Sequence, residues 1–242
     1  MSADTAFTKE NLDSCLKQLA KEFRKLNGTA VPAEIILIGG AAVLANYGFR
    51  DTTYDIDAII HASSAMKDAI NHVGDSLGLP NGWLNSDFMY TKSYSPKLDE
   101  FSQYYKTYSN VLRIRTVSGE YLVAMKLMSG RKYKNDISDI IGILCEEEKR
   151  GTPISIEKIE KAVCDLYGTW DALPADSKML IKEVLENSNL EELYEKYRAT
   201  EKDTKSTLLS FEKDYPNVLN EDNMDDVLTS LKRKKQRSDL ER

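Results

Sequence analysis

The chain has 242 residues, 41% apolar and 30% charged, with 39 acidic against 33 basic side chains and a formal net charge of −6. That length holds one large domain or two modest ones, and the acid excess excludes a protein that coats nucleic acid over its whole surface. The longest mostly apolar stretch, Ile35–Ala45, is too short to span a bilayer, and Met1–Glu10 has neither a basic nor an apolar leader region. Three scattered cysteines (Cys15, Cys145, Cys164) and two histidines make neither a disulfide framework nor a usual zinc set. The expectation is a cytoplasmic protein with reduced thiols and no membrane partner.

Leu12, Cys15, Leu16, Leu19, Phe23 and Leu26 recur at helical spacing, with Thr8 as N-cap and Gly28 as stop, which predicts a helix over 9–27. Glu34–Ile38 is β-branched and apolar and ends at Gly39-Gly40, a buried strand cut by a turn. Ala41–Tyr47 reads as a short helix closed by Gly48. Tyr54–Ile60 alternates, with Tyr54, Ile56, Ala58 and Ile60 on one face and Asp55, Asp57 and Ile59 on the other, which predicts a second strand. Met66–Leu77 predicts a helix, and the polar, tyrosine-rich stretch 80–108 carries no pattern that fixes its elements. Val111–Val117 is a third strand, after which Ser118 caps a helix running to about Ser129. Another helix begins near Asp136, with Ile137, Ile140, Ile141 and Leu144 as its apolar stripe. Gly151-Thr152-Pro153 breaks the chain, and only helices are predicted beyond it, at about 155–167, 175–186, 189–213 and 222–237. A boundary near 150 therefore separates 1–150 from a helical 151–242. The basic cluster Lys232–Arg237 fits a solvated helix end favoured by the helix dipole.

The signal that carries chemistry is composite: a strand, Gly39-Gly40, a short helix, then a strand bearing Asp55-Ile56-Asp57. Glycines at a strand end let a ligand approach the backbone, and the N-terminus of the next helix suits a phosphate. Carboxylates at i and i+2 sit about 7 Å apart along a strand and repel unless a cation intervenes. Oxygen ligands crowded in this way suit Mg²⁺ or Mn²⁺, which bind through a few carboxylates plus substrate phosphates. A phosphate cradle with metal carboxylates is the minimal equipment for phosphoryl or nucleotidyl transfer. Taken singly, the glycine pair is a turn and the D-x-D a strand end; their order after a buried strand is what points to function. The glycines lack the G-x-G-x-x-G spacing, which argues against dinucleotide binding.

Lys126 lies within Tyr121–Met128, an otherwise apolar helix, so it needs an anionic partner or a wet cleft unless it snorkels at a helix edge. Asp136 lies about 90° and Asp139 about 150° from the centre of their helix's apolar stripe, which puts Asp136 nearer the buried boundary, or else Asp136 caps that helix. Arg131 is a candidate ligand for a phosphate or a nearby acid, with a surface salt bridge as the alternative.

Gly39-Gly40, then Arg50-Asp51-Thr52-Thr53, then Asp55-Ile56-Asp57 resemble the DNA polymerase β-type nucleotidyltransferase superfamily, whose signature is a glycine pair, a short helix and a D-x-D or D-x-E strand. The closer resemblance is to its small bacterial branch, which includes abortive-infection (type IV toxin–antitoxin) nucleotidyltransferase toxins. In that branch an Arg and a Ser/Thr precede the D-x-D, as Arg50 and Thr52-Thr53 do here. A later Lys on an apolar helix is followed by an R-D-x-x-D-like segment, here Lys126, then Arg131 and Asn135-Asp136-Ile137-Ser138-Asp139. The resemblance covers about 30–150. It implies an α+β fold: a nucleotidyltransferase-type mixed β-sheet flanked by helices and followed by a C-terminal helical region. It implies catalytic roles for Asp55, Asp57, Lys126, Asp136 and Asp139, with metal held by Asp55 and Asp57. Nucleotide binding would fall to Gly39, Gly40, Arg50, Thr53, Lys126 and Arg131. The implied cofactor is Mg²⁺ or Mn²⁺, the donor an NTP, the acceptor an RNA such as tRNA, a protein or a small molecule, and the partner an antitoxin. Polymerase-like members carry a third metal carboxylate on a later strand, whereas Val111–Val117 contains Arg113 and Arg115 and no acid. Asp136 or Asp139 would then have to supply it; otherwise the chain is an inactive nucleotidyltransferase fold serving as a nucleotide sensor or regulatory module.

Overall fold

In the computed structural model, which describes residues 6–131, 135–220, 223–224, 226–231 and 233, the first element is α1 (Lys9–Asn27). Its N-terminus is closed reciprocally. The Thr8 hydroxyl accepts from the Asn11 N–H, and the Asn11 side chain accepts from the Thr8 N–H at 2.6 Å. Leu12, Cys15, Leu16, Leu19 and Phe23 are buried along one face, as their spacing predicts, whereas Leu26 in the last turn is exposed.

β1 (Ala33–Leu37), β2 (Ile56–His61), β3 (Leu84–Asn85), β4 (Ser102–Tyr108) and β5 (Leu112–Val117) form one mixed sheet in the order β3-β2-β1-β5-β4. β1 runs antiparallel to β2 and parallel to β5, β3 runs parallel to β2, and β4 runs antiparallel to β5. This register fixes the place of the site. Leu37, ending β1, faces Ala58 near the start of β2, and the Ile38 N–H donates to the Asp57 carbonyl at 3.0 Å. β5 runs alongside β1 in the same sense, so its end opens on the same side of the sheet. Three segments far apart in sequence therefore meet at one sheet end: Gly39-Gly40, Asp55–Asp57 and the helix that follows β5.

That helix is α4 (Gly119–Ser129); α2 (Gly39–Asn46) follows β1, and α3 (Ala65–Leu77) packs on α1. α4 packs on α5 (Asp136–Lys149), α6 (Ile156–Tyr167) and α7 (Ala175–Glu186), while α8 (Leu190–Asp214) lies against α5. Ile159, Val163, Ile181 and Val184 of α6 and α7 belong to the same continuous hydrophobic cluster as the sheet and α1. The fold is α+β, a mixed sheet flanked by helices with a C-terminal helical region, and the described residues after Arg150 contain no strand. Among the described residues no helix is long and apolar enough to cross a membrane.

Some boundaries differ from the sequence expectation. β2 begins at Ile56; Tyr54 and Asp55 sit in a bend before it, so Tyr54 is exposed instead of sharing the buried face of Ile56 and Ala58. Ser118 stands at the N-cap of α4 without a side-chain cap bond. The stretch 80–108 holds β3, β4 and two 3₁₀ turns, Asp87–Tyr90 and Pro96–Asp99. The predicted helix over 222–237 is helical at Met224, 226–231 and Arg233; its other residues after Asn223, and with them Lys232 and 234–237 of the basic cluster, lie outside the described residues, as does Asp222.

Candidate active site

A cleft of about 590 Å³ opens at the sheet end where β1, β2 and α4 meet. Every residue singled out from the sequence lines it: Gly39, Gly40, Arg50, Thr53, Asp55, Asp57, Lys126, Arg131, Asp136 and Asp139. Gly39 has φ +55°, a left-handed conformation that glycine adopts without strain, and a Cβ there would lie 3.4 Å from the Asp57 carboxylate. No side chain caps the start of α2, which leaves its first-turn N–H groups to other partners. Gly40 is small for a reason other than ligand approach. A Cβ on it would lie 2.7 Å from the Thr53 hydroxyl and 2.8 Å from an Arg50 guanidinium nitrogen, so the loop's own side chains fill that space.

The loop between α2 and β2 is fastened at several points. The Thr53 N–H donates to the Phe7 carbonyl at 2.9 Å and the Phe7 N–H returns a bond to Thr53 at 2.6 Å, pinning the loop to the start of the chain. Arg50 Nε donates to the Thr52 carbonyl at 3.0 Å, and the Thr53 hydroxyl to the Asp55 carbonyl at 3.2 Å. The Ile56 N–H donates to the carbonyl of buried Trp83, whose indole N–H donates to Ile70 at 3.0 Å. The Gly82–Asn85 stretch thus works as a buttress for β2. Asp55 stays exposed in the bend and Asp57 is half-buried.

The floor of the cleft is a buried ion cluster. Lys126 is only 7% exposed; its ammonium lies 2.7 Å from Asp139 and 3.0 Å from Asp136. The Arg50 guanidinium also holds Asp139, and Arg131 Nε and the Ser129 hydroxyl each donate to Asp136 at 3.1 Å. Burial pulls the Lys126 pKa down, but the attraction of Asp139 and Asp136 outweighs it and the pKa rises. Burial pushes the Asp136 carboxyl up, but Lys126 and Arg131 override it and hold it at about 2. Lys126 therefore does not snorkel. Asp139, set farther than Asp136 from the apolar stripe by helical angle, is equally buried because α8 covers that side of α5. Ile137, expected in the buried stripe, is half-buried.

α8 supplies a wall that the sequence reading missed. Tyr194, Arg198, Lys202 and Lys205 all line the cleft. The Tyr194 hydroxyl donates to the Phe49 carbonyl at 3.2 Å, Arg198 pairs with Asp51, and the Lys205 ammonium lies 4.4 Å from the centre of the Tyr54 ring. Their spacing of four, four and three residues places them on one helical face, a signal present in the sequence but without a partner to give it meaning. Between Arg198 and Lys205 on this helix, Glu201 reaches the start of α5. Its Oε1 accepts from the Ile137 and Ser138 N–H groups at 3.1 Å each, in place of Asn135, which offers no cap bond. Its Oε2 is buried without a partner, and burial pushes its carboxyl up to about 7 against the pull of the Ser138 N–H, with Asp139 adding repulsion.

Arg113 and Arg115 do not reach the cleft. They pair with Glu34 of β1 at 3.6 and 3.2 Å, and Arg115 also donates to the Asp99 and Ser102 carbonyls. Among the described residues no three or more His, Cys, Asp and Glu side chains are grouped to hold a metal ion. Asp55 and Asp57 supply oxygen donors only, which fits Mg²⁺ or Mn²⁺ as a partial site that substrate phosphates and water complete.

A glycine turn, paired acids and a buried lysine thus meet at one end of a mixed sheet. The chain belongs to the family described as "Nucleotidyltransferase of unknown function (DUF6036)", whose model matches residues 14–205. That match spans the sheet, the cleft floor and α8 as far as Lys205. No curated protein and no solved structure matches the chain.

Proposed function

We propose that the cleft transfers a nucleotide from an NTP to a hydroxyl of an RNA, protein or small-molecule acceptor, in the manner of the nucleotidyltransferase toxins that the sequence resembles. The observation that carries this reading is the charge of the floor: three cations (Lys126, Arg50, Arg131) surround two carboxylates (Asp136, Asp139) beside the Gly39-Gly40 turn. Lys126, Arg50 and Arg131 gather cationic hydrogen-bond donors there, a setting that suits an anion. The triphosphate would lie against α2 and this cluster. Asp55 and Asp57 would hold Mg²⁺ at the mouth. Bound there, the ion would lower the pKa of the acceptor hydroxyl and neutralise charge on the departing pyrophosphate. The acceptor oxygen would give up its proton to solvent and bond to the α-phosphorus as the bond to pyrophosphate breaks. The α8 wall, with Arg198, Lys202 and Lys205, would hold the acceptor in place.

A second reading has its own support. Asp136 and Asp139 are already engaged with cations, so neither is released to serve as a third metal carboxylate. A nucleotide-binding regulator without turnover would look the same. Incubating the protein with each labelled NTP, Mg²⁺ and total bacterial RNA and protein separates the two. Label on one acceptor class, with pyrophosphate released and both stopped by EDTA, is the expected result. Nucleotide binding with no pyrophosphate released would favour the regulator.

A further inference from the structure

We infer that a second, apolar cavity beside the ion cluster seats the base of the donor nucleotide, an inference that rests on the nucleotidyl-transfer reading above. The cavity lies between α4, α5 and α7, holds about 270 Å³, and is walled by Leu127, Ile137, Ile140, Met179 and Leu180. It shares Lys126, Arg131 and Asp136 with the main cleft. The same cations thus border a wet, charged space on one side and an apolar one on the other.

Size and chemistry together select the occupant. An apolar cavity of about 150 Å³ accepts a benzene ring, whereas whole drug-sized ligands need roughly 300–1,000 Å³. At about 270 Å³ the cavity suits a one- or two-ring system and excludes an entire nucleotide. A ligand with an apolar ring here and its anion on Lys126 and Arg131 must extend into the main cleft, where the triphosphate is proposed to lie. Ile137 is only half-buried and Met179 is 63% exposed, so apolar surface at this wall is left uncovered until a ring covers it. On α7, the exposed Glu183 also lines this cavity. A carboxylate accepts hydrogen bonds and cannot donate them, so it favours bases that present an exocyclic amino group (adenine, cytosine, guanine) over uracil, whose one edge donor, N3–H, is flanked by two carbonyls. A ring of the acceptor is the rival occupant.

The test compares ATP, UTP and inorganic tripolyphosphate, each with Mg²⁺, by calorimetry on the wild-type chain. ATP should bind at least about tenfold more tightly than tripolyphosphate, and more tightly than UTP. Leu180→Trp fills the cavity; it should erase the advantage of ATP and leave tripolyphosphate affinity within about twofold of wild type. Should Leu180→Trp not melt cooperatively, Met179→Ala decides instead, because its exposed side chain can be trimmed without harm to the fold; ATP affinity should fall by roughly two- to fivefold. Equal affinity of the wild type for ATP and tripolyphosphate would overturn the inference, as would unchanged ATP affinity in the folded variant. Lost transfer with unchanged ATP affinity would assign the cavity to the acceptor. If the wild type binds neither ATP nor tripolyphosphate, the nucleotidyl-transfer reading itself falls, and this one with it.

Discussion

Two pairs of aspartates line the cleft and live under opposite conditions. Asp55 and Asp57 sit at the mouth, one exposed and one half-buried, on a bend and the first residues of β2. Asp136 and Asp139 lie on the floor, 4% and 3% exposed, clasped by Lys126, Arg50 and Arg131. Charge at the mouth lies at the surface; charge on the floor is buried and serves to hold basic groups in place. Near-identical spacing in sequence thus says little about role. The difference comes from which elements cover each pair.

Four changes would sharpen or break that contrast. The largest effect should come from Lys126→Met, which leaves two buried carboxylates without the cation that bridges them. Removing one partner of a buried ion pair costs about 3–5 kcal/mol, and denaturant unfolding should show a loss of that order. A variant as stable as wild type would mean that the floor is wetter than its burial implies. Asp57→Asn should do the reverse. Stability should change by less than about 0.5 kcal/mol, because the change removes one of two neighbouring like charges and keeps the side chain's size. Metal-dependent transfer should fall by roughly 10²-fold or more, about 2.7 kcal/mol. Normal transfer by a folded Asp57→Asn protein would remove the mouth from the chemistry.

Glu201 gives a pH signature to the join between α8 and the floor. Its folded-state carboxyl titrates at about 7, above the ordinary 4.5, so between those values the folded chain keeps a proton that the unfolded chain has released. The protonated form is the better tolerated one. Stability from this group therefore falls as pH rises from about 5 through 7 and is not regained above it. Glu201→Gln should flatten that slope by more than about 1 kcal/mol between pH 5 and 8, and at pH 8 it should match or exceed wild type in melting temperature. An unchanged slope in the variant would show that the carboxylate is already ionised at the helix end across this range. The smallest effect belongs to Arg198→Ala. Its pair with Asp51 is exposed and should contribute less than about 1 kcal/mol, diminishing further in high salt. A larger, salt-insensitive loss would mean that α8 grips the loop more firmly than an exposed pair allows.

Much of this was legible beforehand. Apolar spacing marked α1 and α4, β-branched runs marked β1 and β5, and the site residues fell into one cleft because glycines, acids and the lysine were tied to element ends. The stretch 80–108 was opaque because β3 has two residues and β4 is a sheet edge whose middle is largely exposed, so neither shows a clean alternation. The burial of Asp139 was misjudged for a related reason. An apolar stripe reveals the side of α5 that packs on hydrophobic neighbours, but not the side where charges and α8 close over it. The role of Tyr194, Arg198, Lys202 and Lys205 needs the same long-range contact and could not be read locally.

The Phe7–Thr53 bridge and the α8 wall also set a timetable. The loop before β2 is pinned to Phe7, which is made before it, whereas the α8 wall is made after the sheet and most other helices. At about 5–20 residues per second, Arg198 follows Asp57 off the ribosome by roughly 7–28 s. During that interval a nascent chain can assemble the sheet, the acid pair and later the ion cluster with one side of the cleft still missing. The cleft is therefore complete only once α8 has been made: ribosome-bound fragments ending before it would carry the acid pair and the ion cluster and lack the Tyr194, Arg198, Lys202 and Lys205 wall.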